Sequence, residues 1–140
     1  TMKVTLSDTA RRFIALFEEE TEATAHDCLV FDDRVVFLVA AGDMATAIGP
    51  GGRTVQSVER QLGRTVELVE DADTPEAFVA SALAPAAVRH VTLSRQNDTV
   101  AYVEVAEADR GVAIGASGKT IDTARELARR HYDINDIQLT

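Results

Sequence analysis

The chain has one cysteine, no tryptophan, three prolines and only two lysines among its 140 residues. A lone Cys28 excludes an internal disulfide and offers no thiolate metal cluster. Inside an apolar segment it reads as a small buried hydrophobe. No run approaches the roughly 18–20 apolar residues that a membrane span requires, and no signal-peptide pattern is visible. Thr1, ahead of Met2, is set aside. A cytoplasmic protein without membrane contact is therefore expected. The three histidines, His26, His90 and His131, fall in unrelated elements with no ligand spacing, so no metal, no cofactor and no enzymatic activity are expected.

Lysine is scarce in a chain that is far from uncharged. There are 23 acidic residues against 14 basic ones; apart from Lys3 and Lys119 the basic residues are all arginines, and the net charge is −9. Such a balance argues against nucleic-acid binding by bulk attraction. Acid-rich, lysine-poor composition is also what a protein of a very salty cytoplasm carries, because carboxylates hold water and salt screens their repulsion. A halophilic source is the expectation from composition. At 46% apolar residues the chain is globular, long enough for one ordinary domain or two small ones.

What is present, twice, is a short glycine-containing stretch. Ile48-Gly49-Pro50-Gly51-Gly52-Arg53-Thr54-Val55 returns 66 residues later as Ile114-Gly115-Ala116-Ser117-Gly118-Lys119-Thr120-Ile121. Each copy follows an alternating apolar run and precedes a helical pattern ending in arginines. A single Gly-x-x-Gly says little, but a repeat in register, in the same strand–turn–helix context, says much more. Paired glycines permit positive φ and close approach of another backbone. A helix starting directly after them presents free N–H groups and a positive dipole end, which together accept an anion such as phosphate. The competing reading is a plain tight corner between helices.

Charge placement favours the anion reading. Residues 49–64 hold three arginines and one acid, and residues 115–130 hold four basic residues and two acids. By contrast, Glu18, Glu19, Glu20, Glu22 and Asp27 form an acidic stretch without Lys or Arg.

The remaining pattern repeats with the loops. A helix is expected over 8–20, capped by Ser7 or Asp8, with Ala10, Phe13, Ile14 and Phe17 on one face. Strands over 28–31 and 34–39 form a hairpin through Asp32-Asp33. Asp43 is expected to cap a short helix through Ile48. A helix over 53–62 places Val55, Val58 and Leu62 inward and stops at Gly63, and a strand covers 65–69. After the polar connector 70–73, Thr74-Pro75-Glu76 starts a helix to about 83. Strands over 88–93 and 99–105 follow, then a short helix from Asp109 to Ile114. The loop-following helix, with Ile121, Ala124, Leu127 and Ala128 inward, ends near Arg130, and a last strand covers 134–139. Tyr102 could stack a base, but the alternation of its strand assigns it to the core.

This order, centred on Ile-Gly-x-x-Gly-[Arg/Lys]-Thr-[Val/Ile], resembles a type II KH domain, an RNA-binding module. Two in tandem at this spacing resemble the short archaeal NusA-like transcription termination/antitermination factors, over essentially the whole chain. The resemblance implies an α+β fold of two tandem type II KH domains, 3–70 and 74–140, each a small three-stranded sheet packed with three helices. It implies single-stranded RNA as partner, gripped along its backbone by Gly49, Pro50, Gly51 and Gly52 and by Gly115, Ala116, Ser117 and Gly118. Loops of the family usually carry a basic residue between the glycines; here Arg53 and Lys119 must supply that charge. Arg60, Arg64, Arg125 and Arg129 are secondary candidates for phosphate contact, or equally for a solvated helix face balancing Glu59 and Glu126. RNA polymerase or other transcription proteins are further candidate partners, and a monomer is expected. The alternative is a KH-fold adaptor docking a protein partner, perhaps through the 18–27 acidic face, or a ribosome or RNA-processing accessory protein without a transcription role.

Two enzymatic readings fail on spacing. Gly118-Lys119-Thr120 imitates the end of a nucleotide-binding P-loop, but the required earlier glycine position is Ala113. Gly49-x-Gly51-Gly52 does not match the dinucleotide pattern.

Overall fold

The computed structural model describes residues 6–140. The chain divides into two compact units, one ending at Asp71 and the other beginning at Ala72. The expected start of the first domain at residue 3 lies outside the described residues.

The first unit runs α1 (Asp8–Thr21), β1 (Ala25–Val30), β2 (Arg34–Val39), α2 (Met44–Ile48), a 3-10 turn (Pro50–Gly52), α3 (Arg53–Leu62) and β3 (Thr65–Glu70). The second repeats it: α4 (Pro75–Ala82), β4 (Val88–Arg95), β5 (Thr99–Val105), a 3-10 turn (Glu107–Asp109), α5 (Arg110–Ile114), a 3-10 turn (Ala116–Gly118), α6 (Lys119–Tyr132) and β6 (Asp136–Leu139). Each unit is a mixed three-stranded sheet with three helices. In the order β1-β2-β3 the first pair is antiparallel and the second parallel, and β4-β5-β6 repeats this.

Local chemistry explains most boundaries. The Ser7 hydroxyl accepts from Ala10 N–H at 3.1 Å and caps α1, and Thr74 does the same for Ala77 at 3.1 Å ahead of Pro75. Such a cap contributes on the order of 1 kcal/mol. In the first unit Phe17 and Phe37 stack at 4.3 Å between ring centroids, within a core that includes Cys28, Val35, Val39, Ala47 and Val58. Burying each such ring or aliphatic chain stabilises the fold by roughly 1.5–3 kcal/mol. In the second unit α6 buries Ile121, Ala124, Leu127 and Ala128, and β5 buries Ala101 and Val103.

Four boundaries differ from expectation. Strand β1 begins at Ala25, ahead of the expected 28, because a register shift between Ala25 and Asp27 breaks the period-2 alternation. Strand β4 extends to Arg95, since Ser94 and Arg95 continue the ladder opposite Val100 and Thr99. Helix α6 continues to Tyr132, whose ring stacks on Phe78 at 4.8 Å and whose hydroxyl donates to the Ala72 carbonyl at 2.6 Å. Strand β6 starts correspondingly later, at Asp136. Among the described residues no helix is long and apolar enough to cross a membrane.

Of the 23 acidic side chains only Asp27 is buried. The rest crowd the surface, so their mutual repulsion should be a main destabilising term at low salt. The melting temperature is expected to rise by about 5–10 °C between low and multimolar potassium chloride. A melting temperature independent of salt would remove the halophilic reading of the composition.

Candidate nucleic-acid interface

The two glycine stretches adopt the same backbone, position by position. Gly49 has φ 74°, ψ 172° and Gly115 has φ 81°, ψ 169°. Two left-handed residues close each turn: Gly51 (φ 61°, ψ 20°) and Gly52 (φ 78°, ψ 9°), then Ser117 (φ 56°, ψ 26°) and Gly118 (φ 75°, ψ 11°). The hydrogen bonds match too: Gly49 N–H donates to Ala45 and Gly115 N–H to Gly111, both at 2.9 Å. Gly52 N–H donates back to Gly49 at 3.1 Å, and Gly118 N–H to Gly115 at 3.0 Å.

The first glycine of each pair is required twice over. Its φ and ψ lie in a region essentially reserved for glycine. Packing demands it as well: a Cβ on Gly49 would overlap the Thr54 hydroxyl and lie 2.5 Å from Thr54 Cβ. On Gly115 it would meet the Thr120 hydroxyl, with Thr120 Cβ and N at 2.8 Å. The threonine five residues after the glycine is thus the wall against which the loop folds. That accounts for the invariable Gly-x-x-Gly-basic-Thr order within this chain.

Pro50 and Gly51, like Ala116 and Ser117, are exposed at the tips. Helices α3 and α6 start directly behind them, and no side chain caps either start. Their first-turn N–H groups and positive dipole ends therefore face the same solvent as the tips. Arg53 and Lys119, each the first residue of its helix, are exposed there too. Just ahead of the loops, Ile48 and Ile114 stand 39% and 40% exposed, apolar surface at the rim of a charged site.

Beyond the second loop lies a groove of about 430 Å³, bounded by Ile114, Gly118, Ile121, Arg125 and the strand residues Gln138 and Leu139. A cavity of about 550 Å³ in the first unit sits instead along the far end of α3, between Glu59, Arg60, Arg64 and Thr65.

Three of the four secondary arginines are engaged within the chain. Arg64 donates to the Phe31 carbonyl at 3.0 Å and lies over the Phe13 ring. Arg125 donates through Nη2 to the Ile137 carbonyl at 2.9 Å and pairs with Asp122 and Asp136. Arg129 pairs with Glu126, which pushes its already high pKa further up. Arg60 is exposed on α3, close enough to Glu20 to help hold its carboxyl below the ordinary range, though the Ser57 hydroxyl is the larger cause.

The acidic stretch is partly structural: Glu18 accepts from Ala25 N–H at 2.9 Å, and buried Asp27 accepts from Cys28 N–H at 2.7 Å. Tyr102, assigned to the core from its alternation, is 38% exposed. It points to the face of β5 opposite buried Ala101 and Val103. The strand alternates as expected, but with Tyr102 on the outer register.

One carboxylate, Asp43, was misread from sequence as a helix cap. Asp43 and Asp109 do not cap the short helices that follow them. Asp43 Oδ2 accepts from Thr24 N–H at 2.9 Å, and Asp109 Oδ2 from Ala87 N–H at 2.7 Å. Each fixes the short helix before its loop to the start of the unit's first strand. Their separation of 66 residues, the loops' own offset, was the available signal. Among the described residues no three His, Cys, Asp or Glu side chains converge as metal ligands would.

Comparison with known proteins identifies the family of both units. Residues 12–74 match the family model of the KH domain, and residues 75–140 that of the NusA-like second KH domain. The chain is 63% identical over 139 residues to the "Probable transcription termination protein NusA" of Halobacterium salinarum, covering 99% of this chain and 100% of that one. It is 64% identical over 138 residues to the protein of the same description from Halococcus morrhuae, covering 99% of each. Both relatives come from halophilic archaea, in keeping with the acid-rich composition. Among solved structures, the crystal structure of APE1850 superposes with a TM-score of 0.85 at 28% identity, covering 96% of this chain and 100% of that one.

Proposed function

The chain belongs to the NusA-like family of tandem KH-domain proteins, and on that premise we propose that it binds single-stranded RNA in transcription termination or antitermination. The observation that carries this reading is the position-by-position match of the two loops, down to the threonine behind each. Two loops held to one strained conformation serve one task twice. A tight bend alone would not need exposed tips, an uncapped helix start and a basic first residue together.

The mechanism follows from the parts. The RNA backbone passes over Gly49–Gly52 and Gly115–Gly118, close because the tips carry little or no side chain. Phosphates meet the helix dipole ends and Arg53 or Lys119. Bases turn onto the apolar rim at Ile48 and Ile114. Single strands are preferred because their unstacked bases reach such a rim. The short connector keeps the second site at high effective concentration once the first has bound. The protein acts as a cytoplasmic monomer without catalysis of its own, and the transcribing polymerase is its macromolecular partner.

Titration with a randomised pool of short single-stranded RNA, at high and at moderate potassium chloride, tests the reading. Saturable binding that weakens as salt rises is expected, with duplex RNA binding at least tenfold more weakly. RNA binding absent at every salt concentration would favour the protein-adaptor alternative.

A further inference from the structure

We infer that the two loops do not share the RNA equally: the second unit carries most of the affinity, and the first is held weak by the charge of its own groove wall. This deepens the RNA-binding reading and rests on it.

The observation is one position that does the same structural job with opposite charges. Glu59 and Arg125 are 66 residues apart and occupy the same place on α3 and α6. Each staples its helix to the second residue of the unit's last strand. Glu59 Oε2 accepts from Val66 N–H at 2.8 Å, whereas Arg125 donates to the Ile137 carbonyl. Val66 and Ile137 are themselves equivalent, pairing with Val35 and Ala101, which are again 66 apart. The fold is satisfied either way, because a peptide group offers both a donor and an acceptor. A passing polyanion distinguishes the two.

Two neighbouring positions lean the same way, while Asp122 on the second wall, opposite neutral Gln56 on the first, leans the other. Arg110, on the wall of the second groove, has Met44 as its counterpart, and Gln138 has Glu67. Ion pairs cancel part of this difference: Arg125 faces Asp122 and Asp136, and Glu67 faces Arg34 at 3.1 Å. After cancellation the first wall keeps the Glu59 carboxylate, whereas in the second the Arg110 and Arg125 guanidiniums balance the Asp122 and Asp136 carboxylates, and Arg110 also donates to the Thr140 oxygen at 2.9 Å. The second groove begins at the loop itself, at Gly118, and its floor is Ile114, Ile121 and Leu139, where an unstacked base can lie.

The test compares the loops one at a time, in the full chain, with the randomised RNA pool at moderate salt. The variant A116D/S117D is expected to lose at least tenfold in affinity, and P50D/G51D at most about threefold. Equal losses, or the larger loss in the first loop, would overturn the inference while leaving the RNA-binding reading intact. No loss in either variant would overturn that reading itself. Two wall substitutions isolate the charge. Arg110→Gln should weaken binding and lower the slope of log affinity against log salt by about 0.7, the loss of one phosphate contact on a single strand. Glu59→Gln keeps an acceptor for Val66 N–H; in the A116D/S117D background it should raise the residual affinity about twofold. An unchanged slope together with an unchanged residual affinity would reject the wall charges as the cause.

Discussion

Replacing Gly115 with alanine is expected to destabilise the second unit by about 2–6 kcal/mol. Two independent costs combine. The backbone at φ 81°, ψ 169° lies where a Cβ costs on the order of 1–3 kcal/mol. The new methyl also collides with Thr120, whose hydroxyl, Cβ and backbone nitrogen all lie within 2.8 Å of where it must sit. Forcing such a contact costs about 1–3 kcal/mol more. Thr120 is on the first turn of α6, so relief would require moving the helix start, and with it the anion site. Denaturant unfolding of G115A measures the loss directly. The companion variant G115A/T120A removes the overlap with the hydroxyl but leaves the contacts with Cβ and the backbone nitrogen and the backbone cost, so it should recover only about 1 kcal/mol relative to the sum of its parts. Loss below about 0.5 kcal/mol in G115A would show that the loop relaxes freely and is not the rigid clamp described here.

The second large effect concerns RNA rather than stability. With Pro50, Gly51, Ala116 and Ser117 all replaced by aspartate, single-stranded RNA affinity should fall at least tenfold. The four positions are the exposed tips over which the RNA backbone would pass. Carboxylates there repel phosphate and satisfy the helix dipole ends in its place. The fold should tolerate the change, because exposed substitutions mostly shift stability by about ±0.5 kcal/mol. Ser117 already holds φ 56°, so an aspartate at that position inherits an accepted conformation. Gly51, at φ 61°, will cost about 1 kcal/mol more. Circular dichroism and melting in high salt check the fold, and equilibrium binding checks the function. Parental affinity in a folded four-aspartate protein would reduce the loops to structural corners and end the RNA-binding proposal.

Much of this architecture was legible before any coordinates. The cap-and-proline start at Thr74-Pro75 and the Gly63 stop are local signals that survive folding nearly unchanged, whereas β2, expected to alternate, is buried at every position because both faces of this central strand are covered. The misread boundaries share one cause. Ala25, Ser94, Arg95 and Tyr132 belong to their elements because of partners outside their own element: a ladder across the hairpin, or Phe78 beneath a tyrosine ring. Asp43 was misread for the same reason. An aspartate before a helix suggests a cap, and only the folded chain brings Thr24 N–H within its reach. Tyr102 shows the complement: alternation reports that two faces differ, not which of them is covered.

By itself the amino-acid order determined that one module occurs twice, where each module bends, and that a basic residue and a threonine follow each bend. These are properties of neighbouring residues, encoded in φ preferences, caps and periods. Only the tertiary structure decided what the threonine is for, because its contact with the first glycine exists only once the turn has closed. Only it, too, made the two modules unequal. Glu59 and Arg125 look in the sequence like charges on a solvated helix face. Packed against a strand they become interchangeable fasteners, since a peptide bond answers to either sign. What remains different between them is the potential each leaves in the groove beside it.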